Sequence, residues 1–320
     1  MNKRIQIPDT DLAVCPVGLG TVSAGIKWDG TDADRLIGTY LELGGNLIDT
    51  ARVYSDWIPG ETGRSERVVG DWIARSGRRN DIVLMTKGGH PRITEKGGDM
   101  HLSRMSDRDM REDLELSLKA LRTETIDIYF YHRDDVSQPV EEEVETMERF
   151  VREGKIRYYA CSNWTADRMK AADEYCAEKG YRGFVADQAM LNAGMRFMKP
   201  PADDTLVMLS GDVAEYHRNA PRNLAIAYSS LAGGFFQRWA KGQITEDDPY
   251  NTPGNIMAAK ALKRVAEKYN TGMTEAVLGY IVTGDYPRAA LFGPGSASRV
   301  REAMAALEVP FRGEDYRELE

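Results

Sequence analysis

Short β-like apolar runs alternate with amphipathic helical stretches along the whole chain, and this alternation limits the fold more than any other feature. "VGLGT" (17–21), "NLID" (46–49), "DIVLMTK" (81–87) and "TIDIYFYH" (125–132) read as the first four strands of the series. "KIRYYACS" (155–162), "GFVADQ" (183–188), "NLAIAYSS" (223–230) and "RAALFG" (288–293) read as the second four. Helical periodicity falls between them at 31–43, 64–77, 107–121, 140–153, 164–179, 256–269, 273–283 and 297–307. Strand and helix in strict alternation imply a parallel sheet with helical crossovers. Eight such units closing on themselves give an α/β fold, a (β/α)8 TIM barrel, with residues 1–320 as a single domain. "RIQIPDTDLAVCPVG" adds a β-hairpin ahead of the barrel. A doubly wound open sheet is the competing architecture. Its dinucleotide fingerprint is weak here: "GLGTVS" lacks the third glycine, and "FGPGSAS" comes last and carries a proline.

Composition narrows the function classes. The net charge of −8 argues against a nucleic-acid partner, which needs a basic surface. No apolar stretch approaches the length of a membrane span, and "MNKRIQIPDTDLAVCPVG" has too little apolar core for a signal peptide. Cys15, Cys161 and Cys176 are odd in number and form no CxxC pair, so reduced cysteines in a cytoplasmic protein are expected. Asn163-Trp164-Thr165 is formally a glycosylation sequon, without a secretion signal to make it meaningful. Two stretches, 88–106 and 229–255, are long for connections. Both follow strands, so both are expected over the C-terminal mouth of the barrel, and the latter is read as a loop at that rim.

Four polar residues stand at strand ends or just past them: Asp49 and Tyr54, Lys87, and His132. That end of a (β/α)8 barrel carries the chemistry. Singly, each has an ordinary explanation as a cap, a turn residue or a satisfied core histidine. Jointly they suit reversible carbonyl reduction. Tyrosine, with a pKa of about 10, is a poor acid unless tuned, and a nearby ammonium lowers that value. Lys87 is the candidate ammonium, Asp49 the anion that fixes it, and His132 a second donor to the carbonyl oxygen. Donors aimed at a developing alkoxide stabilise the transition state more than the ground state. No metal is required. A metal-dependent barrel hydrolase would need clustered ligands, and only four histidines are present.

From residue 5 to 307 the chain resembles the aldo-keto reductases. "GGNLIDTARVY", "GRSERVVGDWI", "YHRDD" and "REGKIRYYACSNW" carry the likeness. "HRDD", "SNWTADRM" and "AYSSLAGGFF" look most like bacterial members. The resemblance implies a nicotinamide dinucleotide, usually NADP, across the barrel mouth. It implies Ser162, Asn163 and Gln188 on the carboxamide, Tyr228 stacked on the nicotinamide ring, and Ser229, Leu231 and Gly233 along the pyrophosphate and ribose. Gly20 and Thr21 are counted with them. Gly295 and Ser296 open a helix whose N–H groups suit an anion, Arg299 would clamp a 2′-phosphate, and Glu302 would meet the adenine. Many members carry a Lys or Arg near Ala297 and an Asn at Ala303, so NAD is the alternative cofactor.

Trp28, Trp57, His90 and Arg92, with Trp239, stand in loops after strands and are expected to wall the substrate pocket. Tryptophan with polar neighbours suits a sugar or polyol, and also an aromatic aldehyde. The leading expectation is an NAD(P)-dependent oxidoreductase acting on a small-molecule aldehyde, ketone or sugar, with no membrane partner. The competing one is a cofactor-sensing regulatory protein, similar to potassium-channel β subunits. The intact set of four favours the enzyme.

Overall fold

Strands that are apolar on both faces must be covered on both, and a parallel sheet does this by closing inside a ring of helices. The computed structural model, which describes residues 4–219 and 222–319, has this architecture. The ends of the 1–320 domain assignment, including the first three residues of the N-terminal run, lie outside the described residues. Strands β1 (Ile5–Gln6) and β2 (Ala13–Val14) form the expected antiparallel hairpin. The barrel strands are β3 (Val17–Gly20), β4 (Leu47–Asp49), β5 (Val83–Gly88), β6 (Ile126–Tyr131), β7 (Ile156–Ser162), β8 (Ala186–Met190), β9 (Leu224–Tyr228) and β10 (Arg288–Phe292). They close in chain order, with β10 beside β3 and every pair parallel. Around them run α1 (Gly30–Glu42), α2 (Arg64–Ser76), α3 (Asp107–Leu121), α4 (Val140–Arg152), α5 (Ala166–Lys179), α6 (Gly211–Asn219), α7 (Phe235–Ala240), α8 (Pro253–Lys268), α9 (Met273–Val282) and α10 (Ala297–Ala305).

Side chains alternate across a strand, so every second residue points into the barrel. Leu47, Met85, Phe130, Ala160, Ala186 and Ile226 pack together there, in one cluster with Ile7, Leu12 and Val14 of the hairpin. The hairpin therefore plugs the N-terminal end. Two residues further along the same six strands, the inward positions are Asp49, Lys87, His132, Ser162, Gln188 and Tyr228. The polar ring at the C-terminal mouth is thus the next layer of the apolar core, set by the same period.

Some boundaries differ from expectation. The sixth strand is displaced to Ala186–Met190, because its pairing with β9 runs from Ala186↔Leu224 to Met190↔Tyr228. Helix α6 had no strong periodic signal in its nine residues. The 229–255 segment is not a plain loop: it holds a 3-10 turn (Ala232–Gly234) and α7. Phe235 and Phe236 are fully buried against Tyr250 and α8, and this anchors the turn that two glycines would otherwise leave open. A third long connection, 191–210, was not singled out beforehand. All three cysteines are free and buried.

Helix α2 packs closely on α3, and two of its residues make the contact testable. A Cβ on Gly70 would lie 2.1 Å from the backbone oxygen of Ala120. Gly70→Ala should therefore destabilise the protein by about 1–3 kcal/mol through overpacking, against the usual helix gain of alanine. Urea unfolding would show it. Glu66 is fully buried and accepts from Thr86 Oγ1 at 2.6 Å. Burial pushes its carboxyl from 4.5 up to about 7. A raised carboxyl pKa gives stability that is complete below pH 4.5 and lost as pH rises through 7. Relative to wild type, Glu66→Gln should gain stability across that interval, by on the order of 3 kcal/mol, and level off above it. Urea midpoints at a series of pH values read this directly, and a flat difference would contradict it.

Candidate active site

A buried ammonium needs an acceptor for each of its N–H groups. Lys87 is fully buried. Its Nζ donates to Asp49 Oδ1 and Oδ2 at 2.7 and 2.9 Å, to Thr50 O at 2.9 Å and to Tyr54 Oη at 3.1 Å. Burial works against the charge, but Asp49 and then Tyr54 reverse it and hold the Lys87 pKa above the ordinary lysine value. Asp49 Oδ1 also accepts from Gln188 Nε2 at 3.0 Å. Behind them, Ser65 Oγ lies 3.0 Å from Thr50 Oγ1 and 2.9 Å from Thr21 Oγ1, and donates to Thr21 O. Thr21 itself donates to Asp49 O through N–H and Oγ1. This hydroxyl cluster fixes the end of β4. Thr50 and Ser65 were missed as site residues, although both stand in the quoted motifs.

Because Tyr54 Oη accepts from Lys87, its own O–H is left to donate. The expected lowering of its pKa is corrected here. Burial dominates and pushes the Tyr54 hydroxyl above 10, while Lys87 acts in the opposite direction. The ammonium limits the rise instead of producing a net fall.

His132 is held well below the ordinary histidine value, first by burial and then by His90, Lys87 and Arg133. Its imidazole is neutral at neutral pH. Nδ1 is buried with no partner. An orphaned N–H there would carry the full desolvation penalty, which assigns the proton to Nε2. The His90 ring centroid lies 4.6 Å from that of His132. Burial lowers His90 to about 4, and its Nδ1 lies 2.7 Å from Pro91 O, so Nδ1 carries the proton.

Asn163 differs from what the resemblance implied. Its Nδ2 donates to Ser162 Oγ at 3.1 Å and His132 O at 3.3 Å. Its Oδ1 accepts from Tyr228 Oη at 2.8 Å and Val207 N at 3.1 Å. A side-chain amide has two donors and two lone pairs, so all four are used within the protein. Buried in this way, the sequon asparagine is no sugar acceptor. Ser162 Oγ donates to Gln188 O. Arg133, another residue the sequence reading passed over, donates to His132 O and to Asp203 Oδ2, each at 3.0 Å.

A cleft of about 750 Å³ is lined by Asp49 and Tyr54 of the catalytic cluster and by Arg299 and Ala303 of α10. Gly20, Thr21, Tyr228, Ser229, Leu231 and Gly233 line it as well, with Gly295 and Ser296. Ser296 Oγ caps α10, accepting from Arg299 N. Arg299 donates to Glu302 Oε2 at 2.6 Å, and Arg299 lines the cleft while Glu302 stands outside that lining. Arg238 and Lys241 also face this cleft. Arg238 is held by Gly233 O and Asp248. Reading 229–255 as a loop hid both cations.

Of the expected substrate walls, only His90 joins the catalytic cluster. Trp28 is buried, and its Nε1 donates to Pro294 O at 3.0 Å. Trp57 is half-buried beyond Tyr54, and Trp239 packs beside the Phe235 cluster. Arg92 is exposed beside a smaller cavity of about 250 Å³ behind Lys87.

Comparison with known proteins gives the family. The chain is 25% identical over 339 residues to aryl-alcohol dehydrogenase GME11368 of Pestalotiopsis microspora, covering 99% of this chain and 81% of that one. It is 25% identical to the uncharacterized oxidoreductase YrpG of Bacillus subtilis, covering 97% and 92%. It is 30% identical to the aryl-alcohol dehydrogenase [NADP(+)] of Phanerodontia chrysosporium, covering 61% and 53%. The family model for aldo/keto reductases matches residues 16–320. The chain belongs to the aldo-keto reductase family.

Proposed function

We propose that the protein reduces a carbonyl to an alcohol, or runs the reverse, with NADP as cofactor, Tyr54 as general acid and base, and the chain 1–320 working as one barrel unit. The observation that carries this reading is the Lys87 ammonium placed between Asp49 and Tyr54 Oη at one end of a dinucleotide-sized cleft. The cleft fits such a cofactor: it is long, lined by backbone and hydroxyl groups, and bears Arg238, Lys241 and Arg299 for phosphates. When bound, the nicotinamide supplies the hydride. Tyr54 gives its proton to the carbonyl oxygen as charge develops there. Lys87 stabilises the phenolate left behind, Asp49 keeps Lys87 charged, and the His132 Nε2–H donates to the same oxygen. Gln188 fixes Asp49, and Asn163 acts through Tyr228 and His132.

The three cations support NADP over NAD, although α10 carries Ala297 and Ala303. The names of the relatives support an aromatic aldehyde or ketone over a sugar. The acidic His132–Asp135 run supports the bacterial grouping, while fungal and Bacillus relatives match at similar identity. No helix among the described residues is long and apolar enough to cross a membrane, and the net charge of −8 argues against a nucleic-acid partner.

Tyr54→Phe should lower kcat by at least about a hundredfold, the usual share of a general acid, and leave cofactor affinity unchanged. Tryptophan fluorescence titration and 340 nm turnover separate the two, and a phenylalanine variant with near-normal kcat would refute the mechanism. In the same titration NADPH should bind tighter than NADH, and Lys241→Met should narrow that gap.

A further inference from the structure

A second cleft, of about 770 Å³, opens on the flank of the barrel and shares no lining residue with the first. It lies between α6, the 191–211 segment, the turn from α9 into β10, and the 313–319 tail. The protein has 42 Lys and Arg against 50 Asp and Glu, yet Arg218 and Arg288 both line this cleft, beside Asp285.

Arg288 is the unusual member. Its side chain is 12% exposed, and its guanidinium makes no hydrogen bond with any described residue. The nearest carboxylate oxygen, Asp285 Oδ1, is 3.8 Å away, beyond hydrogen-bond range. Nε is buried with no partner at all. Arg218 is the reason: its Nε donates to Asp285 Oδ2 at 2.5 Å and takes up that carboxylate. Arg288 instead lies over the Tyr286 ring, 4.6 Å from its centroid, with Arg218 at 5.6 Å from the same ring. Tyr286 is held by a stack on His217, which in turn pairs with the buried Asp187. A Cβ on Gly284 would meet Arg288 at 1.2 Å, so the turn has glycine where the guanidinium passes.

A largely desolvated guanidinium without an acceptor is costly. Its planar fork matches the two oxygens of a carboxylate or the edge of a phosphate. The space before it is too large for a bare ion, and Leu191, Met208 and Leu209 make part of it apolar. We propose that this flank cleft is a second ligand site, which binds a small organic oxyanion with Arg288 gripping the carboxylate or phosphate and the apolar lining taking an aromatic body. The site is independent of the redox reading, because none of its residues belongs to the catalytic mouth.

The test is isothermal titration calorimetry of the full chain, saturated with NADPH, against 4-fluorobenzoate, phenyl phosphate, inorganic phosphate and the uncharged 4-fluorobenzamide. One saturable site for an aromatic acid is expected, with no binding of the amide. The benzoate and phenyl phosphate arms decide which oxyanion is preferred, and weak inorganic phosphate binding would show that the aromatic body contributes. Arg288→Met should weaken binding by about tenfold or more, the worth of a charge-assisted hydrogen bond. Arg288→Lys should recover part of the loss, and Lys119→Met, at an exposed position of α3 outside both clefts, should leave this binding unchanged. Saturable binding that survives Arg288→Met, equal binding of acid and amide, loss on Lys119→Met, or no saturable binding would each overturn the proposal. The acid–amide comparison uses wild-type protein and does not depend on any variant folding.

Discussion

The ammonium of Lys87 has no access to water, and a charge in that position survives only if the protein supplies every partner that water would have given. Much of the C-terminal mouth is organised by this requirement. Asp49 provides the countercharge, Thr50 a carbonyl and Tyr54 a phenol oxygen. Each supplier is fixed in turn: Asp49 by Gln188, and the Thr50 turn by the Ser65 and Thr21 hydroxyls. Ser65 begins α2, so a helix start on the outer ring helps to hold the cluster at the barrel mouth. Removing one partner would leave a buried charge uncompensated, which is why the set acts as a unit.

The second organising constraint is parity. In a closed parallel barrel each strand must present apolar residues inward at every second position until its C-terminal end. There the inward position faces a mouth instead of a core, and polar side chains become tolerable. Asp49, Lys87, His132, Ser162, Gln188 and Tyr228 follow directly on packed interior residues of their strands. A single-residue slip in any strand would turn its polar residue outward into the helix layer. The precision of the site is thus inherited from the packing beneath it.

Polar satisfaction separates residues that face a ligand from residues that hold the frame. Asn163 has no hydrogen-bonding capacity to spare, and it ties together His132, Ser162, Tyr228 and the 191–210 connection. Arg133 adds a second tie to that connection through Asp203. On the flank, Arg288 is the reverse case, a guanidinium whose Nε is buried without a partner and whose nearest carboxylate oxygen is 3.8 Å away. The same rule, that buried polar groups find partners, casts the first as architecture and the second as a place where something else belongs.

The period of the apolar pattern determined the eight strands and most helices, because side-chain parity and helical repeat are local properties of the chain, whereas closure rests on the pairing of β10 with β3. The four residues at the strand ends were legible for the same reason. Tertiary structure decided what depends on neighbours distant in sequence. Trp28 looked like a pocket wall until its indole met Pro294, 266 residues away. Asn163 looked free until Val207 and Tyr228 closed on it. The direction of the Tyr54 shift turned on the desolvation of its hydroxyl, which pairing with Lys87 alone could not reveal. Arg238 and Lys241 became visible as cleft residues only when two buried phenylalanines folded a glycine-rich stretch into α7. Local pattern fixes which residues share a strand or a helix face, whereas partners, burial and field come from the packed chain.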